Sequence, residues 1–196
     1  SERAPATGDG KGVPITGGKG TERLNMVYFK DLPKPAPAIL PLINDLKNSW
    51  NFLGNDGSVF YFETDRNAPL GKVAKVDVRS QAQNWSDVIP ESADTLGGVS
   101  FINNQFVTNY LHDAYTKFKI YETSGKFVRD VALPGIGTAG GFGGKRSYTD
   151  TFYSYSSFNA PPTIYRFDMK TGKSPPFRQA KVKLNPPDHK SKTAKR

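Results

Sequence analysis

The sequence has no cysteine, so neither a disulfide framework nor a thiolate zinc site is open to it. That absence leaves the compartment open between cytoplasm and periplasm. No run of about 18 apolar residues occurs, so no membrane-crossing helix is expected. The only histidines are His112 and His189, which leaves little material for general-base or metal chemistry. G-x-S-x-G, the small-residue elbow that presents a nucleophilic serine in α/β-hydrolases, is missing. No stretch sustains a 3.6-residue apolar period, so helices should be minor. The opening residues SERAPATGDG hold neither a Met nor an apolar signal core, and they read as the start of a chain cut from something longer.

What is abundant points towards strands. The chain carries 13 Phe and 9 Tyr, side chains that pack well on a pleated surface. Its 19 Gly and 15 Pro supply turn punctuation for many short elements. The formal net charge is +9, unevenly spread. Residues 181–196 hold Lys181, Lys183, Lys190, Lys192, Lys195 and Arg196 against Asp188 alone. This tail has no aromatic residue on which a base could stack, so it reads as a solvated terminus and no nucleic-acid partner is expected.

Strongly β-prone runs recur. NDGSVFYFETD (55–65), NNQFVTNYLHD (103–113) and SYTDTFYSYSS (147–157) are each entered through polar turn residues. Taken as anchors, Val59, Phe106 and Phe152 stand 47 and 46 residues apart. The strands that follow, KVAKVDV, KFKIYET and TIYRFDM, place Val73, Phe118 and Ile164 at steps of 45 and 46 residues. Val13 and Val27 lie 46 residues before Val59 and Val73. Another strand precedes each pair (WNFLGN, VSFIN, AGGFGG), and another follows it (ILPLI, WSDVIP, FVRDVAL, SPPFR). Four antiparallel strands per period predict an all-β chain of β-propeller blades. The expected division is a partial blade over 1–47, blades over 48–95, 96–134 and 135–179, and a basic tail or crossover over 180–196. Such units bury their faces only against neighbours. About four of them either close into a small ring or form an arc of a larger one, and the missing first strand of the first unit favours the arc.

Two stretches carry a more specific signal. FLGNDGSVFYFETDRNAPLGKVAKVDV and LPGIGTAGGFGGKRSYTDTFYSYSSFNAPPTIYRFDMKTGK resemble blades of the prolyl oligopeptidase family. The order Phe-Tyr, Ser-Phe, Pro, Ile-Tyr and Asp-x-x-Thr-Gly within 151–172 is the closest part of the likeness, which runs from about residue 7 to about residue 185. The resemblance implies a seven-bladed propeller over an α/β-hydrolase domain, with this chain as most of its fourth blade and its last three. It implies a serine endopeptidase that cleaves short peptides after proline, needs no cofactor and works without nucleic acid or membrane. The propeller would gate access, its partners being short proline-containing peptides and the hydrolase domain of the same polypeptide. That domain would hold the catalytic triad, so this chain alone should not hydrolyse anything. In some members a loop matching residues 18–21 presents an Arg and a small side chain to the bound peptide. Here Thr21 stands at the small position and Gly18 at the Arg, with Lys19 as the adjacent cation; these three are the substrate-channel candidates.

Other motifs have plainer readings. Gly135-Ile136-Gly137-Thr138-Ala139-Gly140 fits G-x-G-x-x-G, but GFGGKRSYTDTFY follows it and cannot make a helix, so an innermost blade strand is expected. Gly17-Gly18-Lys19-Gly20-Thr21 fails the phosphate-loop spacing and reads as a turn. Asn84-Trp85-Ser86 matches a glycosylation sequon by pattern alone and reads as an ordinary blade turn. His112 reads as a structural turn residue. Two further readings stay open: a free-standing propeller that binds a protein partner, and another oligopeptidase of the same superfamily.

Overall fold

The structure, a computed structural model, describes residues 12–18, 25–31, 39–43, 47–80 and 82–179, with side chains described from Leu42 onward. Among these residues there is no helix. The first sheet holds β1 (Gly12–Gly18), β2 (Asn25–Asp31) and β3 (Ile39–Ile43). The second holds β4 (Trp50–Asp56), β5 (Val59–Thr64), β6 (Lys72–Asp77) and β7 (Trp85–Ile89). The third holds β8 (Thr95–Ile102), β9 (Gln105–His112), β10 (Tyr115–Glu122) and β11 (Phe127–Asp130). The fourth holds β12 (Thr138–Gly141), β13 (Asp150–Ser157), β14 (Ala160–Asp168) and β15 (Pro176–Gln179). Within each sheet every strand pairs antiparallel with its neighbours in sequence, giving a simple meander.

Turn chemistry sets the hairpins. Asn103 and Asn104 join β8 to β9 with φ of 52° and 55°. A two-residue turn with positive φ at both positions matches the strand twist, and Asn tolerates that region. Asp113 and Ala114 do the same between β9 and β10, at 43° and 69°. Gly57, at 58°, turns β4 into β5.

Packing joins consecutive sheets. Leu42 and Ile43 of β3 pack with Trp50, Phe60, Phe62 and Val76 of the second sheet. Tyr61, Val73 and Ile89 of the second sheet meet Leu96, Phe101, Phe106 and Tyr110 of the third. Val107, Phe118 and Ile120 of the third meet Phe142, Tyr153, Tyr155 and Phe167 of the fourth. Each such aromatic, moved from water into a core, stabilises by about 1.5–3 kcal/mol. The second and third sheets are thus covered on both faces. Their central strands accordingly bury consecutive residues: Phe60, Tyr61 and Phe62 in β5, and Phe106, Val107 and Thr108 in β9. The fourth sheet has a described neighbour on one face only, and β13 alternates: Thr151, Tyr153 and Tyr155 are buried while Phe152 and Ser154 are exposed.

This is the all-β arrangement of four-stranded antiparallel blades that the spacing predicts. One detail of the alignment is corrected. Val59 and Phe152 face away from the preceding sheet, whereas Phe106 packs against it. Val107, one residue on, is the forward-facing residue of β9, because a one-residue slip turns a strand side chain to the opposite face. Val73, Phe118 and Ile164 all face forward and are in register.

Candidate substrate-channel wall

β4, β8 and β12 are edge strands, each the first of its sheet. An edge strand leaves one row of backbone N–H and C=O groups without a strand partner. Residues of all three line one cleft of about 870 Å³, including Asn51, Gly97, Ser100 and Gly141. β4 and β8 share a register shift at matching places, between Phe52 and Gly54 and between Leu96 and Gly98. A bulge of this kind adds local twist and re-aims the strand at its edge.

Glu63 enters the cleft from β5. It stands directly opposite Asn51 in the ladder, and the Asn51 amide donates to its Oε2 at 3.2 Å. Burial pushes the Glu63 carboxyl pKa up, and the Asn51 hydrogen bond opposes that shift.

A polar network joins the connections between first and second strands. Arg146, between β12 and β13, donates from Nε to Asn104 Oδ1 at 2.6 Å and from Nη1 to the Asn55 carbonyl at 2.6 Å. Its Nη2 pairs with the Asp56 carboxylate. The guanidinium lies 4.3 Å from the centre of the Phe101 ring. One side chain of the fourth sheet's loop therefore holds the turns of the third and second sheets. Asp56 also accepts from the Tyr61 hydroxyl at 2.9 Å. Burial first, and then Asp56, push the Tyr61 pKa up to about 12, so Tyr61 stays a donor.

The residues singled out from the sequence fall as follows. Gly18 ends β1, opposite Asn25. Lys19 and Thr21 lie outside the described residues, as do His189 and the basic tail. His112 closes β9, its Nδ1 against the Asp94 carboxylate and its Nε2 3.5 Å from Asp113. Both ring nitrogens face carboxylates, and among the described residues no serine or threonine hydroxyl bonds to either. The His112 hydrogen bond above all, with the Lys117 ammonium nearby, holds the Asp94 carboxyl below its usual range. The G-x-G-x-x-G run leads into β12, not a helix. A Cβ at Gly137 would lie 2.4 Å from the Ser156 carbonyl oxygen, so strand packing accounts for that glycine. Asn84 sits exposed just before β7. Glu63 and Arg146 were not legible as functional positions. A lone Glu in a strand carries no motif, and the Arg146 contacts span about 90 residues of sequence.

The prolyl oligopeptidase N-terminal β-propeller family model matches residues 2–180. The prolyl endopeptidase of Elizabethkingia miricola is 35% identical over 168 residues, which cover 85% of this chain and 24% of that protein. The dual function macrocyclase-peptidase POPB of Galerina marginata is 28% identical over 198 residues, covering 96% of this chain and 27% of that one. Among solved structures, a prolyl endopeptidase superposes with a TM-score of 0.79 at 33% identity, over 89% of this chain and 26% of that one. Prolyl oligopeptidase B from Galerina marginata, bound to a 25mer macrocyclization substrate, gives 0.81 at 26% identity, over 90% and 26%. The chain spans about a quarter of the length of the relatives it matches. Stacked four-stranded meanders, first strands converging on one cleft, and a family model running through nearly all of them lead to one conclusion: this chain belongs to the prolyl oligopeptidase family, within its N-terminal β-propeller domain.

Proposed function

We propose that this chain is the substrate-gating wall of a serine endopeptidase that cleaves short peptides after proline. The carrying observation is the cleft between the first strands of three successive sheets, lined by polar edges. A rigid arc of blades excludes folded proteins by size, while strand edges offer an extended peptide backbone hydrogen bonds without a deep apolar trap. The chain divides into a partial blade over 1–47, blades over 48–95, 96–134 and 135–179, and a crossover segment over 180–196, as part of a seven-bladed ring. The triad sits on an α/β-hydrolase domain of the same polypeptide, and Gly18, Lys19 and Thr21 meet the peptide on its way there.

The test compares two proteins with a chromogenic Gly-Pro-linked substrate. The full-length polypeptide should turn it over and lose activity to an organophosphate, while the 196-residue chain should show no turnover. Turnover by the short chain, abolished by replacing one of its own serines, would overturn the proposal. A full-length protein inert towards every proline-containing peptide would do so as well.

A further inference from the structure

The chain as a whole is strongly basic, at +9, yet the charged side chains lining the cleft are Glu63 and Asp65, with no Lys or Arg among them. Asp65 is partly satisfied by the backbone N–H of Ser49 at 2.8 Å. Glu63 differs from the carboxylates around it. Asp56, Asp87, Asp94 and Asp130 each face an Arg, Lys or His, and Asp168 accepts backbone N–H bonds. Among the described residues, Glu63 has only the neutral amide of Asn51.

A half-buried carboxylate without a cation is destabilising, because it gives up hydration and gains no opposite charge. Leucine or threonine at this strand position would satisfy the ladder equally well. The charge therefore makes sense if something else supplies its counterpart. The cleft, at about 870 Å³, is wide enough to admit a ligand of several residues. The neighbouring edge strands and Asn109 offer polar groups to a peptide main chain. Burial raises the Glu63 pKa, as expected of a carboxylate that waits for a cation.

We infer that Glu63, oriented by Asn51, is a subsite for a cationic group: the lysine ammonium or arginine guanidinium of a peptide lying in the cleft. The inference rests on reading the cleft as a wall that peptides pass. It adds that basic peptides are favoured there over neutral ones of the same size.

The test is calorimetric titration of the full-length polypeptide, inactivated with an organophosphate, with two peptides, Ala-Ala-Lys-Ala-Pro-Ala and its analogue with norleucine in place of lysine. The lysine peptide should bind about tenfold more tightly, as expected for a charge-assisted hydrogen bond in a partly dry site. Glu63→Gln, an isosteric change checked by thermal melting, should bring the two affinities together. If that variant does not fold, Glu63→Asp, which withdraws the charge from the cleft, should shrink the preference. Higher salt should narrow it in the unaltered chain. Equal binding of the two peptides overturns this inference and leaves the channel reading intact. A lysine preference that survives Glu63→Gln also overturns it and moves the recognition to Asp65. Binding of neither peptide overturns the channel reading, and this inference with it.

Discussion

Replacing Glu63 by glutamine removes a charge that the fold partly shields from water. The sign of its effect on stability follows from the raised pKa. A carboxyl with a folded pKa above its unfolded one favours the fold when protonated, below the unfolded pKa. That contribution is lost as pH rises through the folded pKa. Glu63→Gln should therefore raise the melting temperature at neutral pH. The gain should fade as the pH is lowered through the Glu63 pKa towards about pH 4. Melting curves across that range check it, and a gain that does not change with pH would contradict it. Glu63 would then be a residue kept at some cost in stability, which fits a binding role.

Arg146 should behave in the opposite way. Its side chain makes two hydrogen bonds at 2.6 Å, an ion pair with Asp56 and a stack on Phe101. The pair is about a third exposed on each side, so solvent screens part of the charge. Arg146→Ala should destabilise by about 1–2 kcal/mol, mostly through acceptors left without their donor. Arg146→Lys should recover less than half of that, because an ammonium cannot reach several acceptors in the plane of a fork. Urea unfolding midpoints separate the two variants; a lysine variant indistinguishable from the parent would remove the fork from the explanation.

At the scale of the element, turns dock sheets as well as strands do. Gly125, in the β10–β11 turn, has φ of +90°, and a Cβ there would lie 2.1 Å from the Val88 carbonyl oxygen of the second sheet. Gly57 has φ of +58° but open space around it. Gly57→Ala should cost about 1–2 kcal/mol from backbone strain alone. Gly125→Ala should cost at least about 1 kcal/mol more, since the turn must also back away from Val88. Chemical denaturation of both variants measures the difference, and equal costs would show that the turn does not bear on its neighbour. The strands themselves were largely legible from aromatic runs and turn residues. Their facing was not. In β9 the buried run Phe106-Val107-Thr108 shows no alternation, so nothing local says which residue looks forward. The bulges in β8 and β13 shift the phase again.

For the whole molecule, the fourth sheet presents Phe152, Ile164 and Phe177 on its outer side, 43%, 39% and 60% exposed. The rings of Phe152 and Phe177 lie 5.1 Å apart and form one patch. Tyr153, the next residue of β13, is buried against the third sheet instead. The side chains of Val27 and Tyr28, in β2 of the first sheet, lie outside those described. Repeat arrays need such faces covered, and exposed apolar patches drive association. The 196-residue chain on its own should therefore self-associate, and the pair Phe152→Lys and Phe177→Lys should shift it towards monomer. Sedimentation velocity at several concentrations reads this directly. A concentration-independent monomer with a sharp melt would favour a closed small ring over an open arc.

The amino-acid sequence by itself determined the strand content, the 45–47-residue period and the absence of a nucleophile elbow, and its motifs pointed to the family. All of these are local properties or repeats of local properties, and a linear reading recovers them. Only the tertiary structure decided which way Phe106 and Tyr153 face, that Arg146 holds two distant turns, and that Glu63 stands uncompensated in an acidic cleft. Those features depend on groups brought together from roughly one or two periods away. Burial, and with it the cost of a charge, exists only once neighbouring sheets exclude the water.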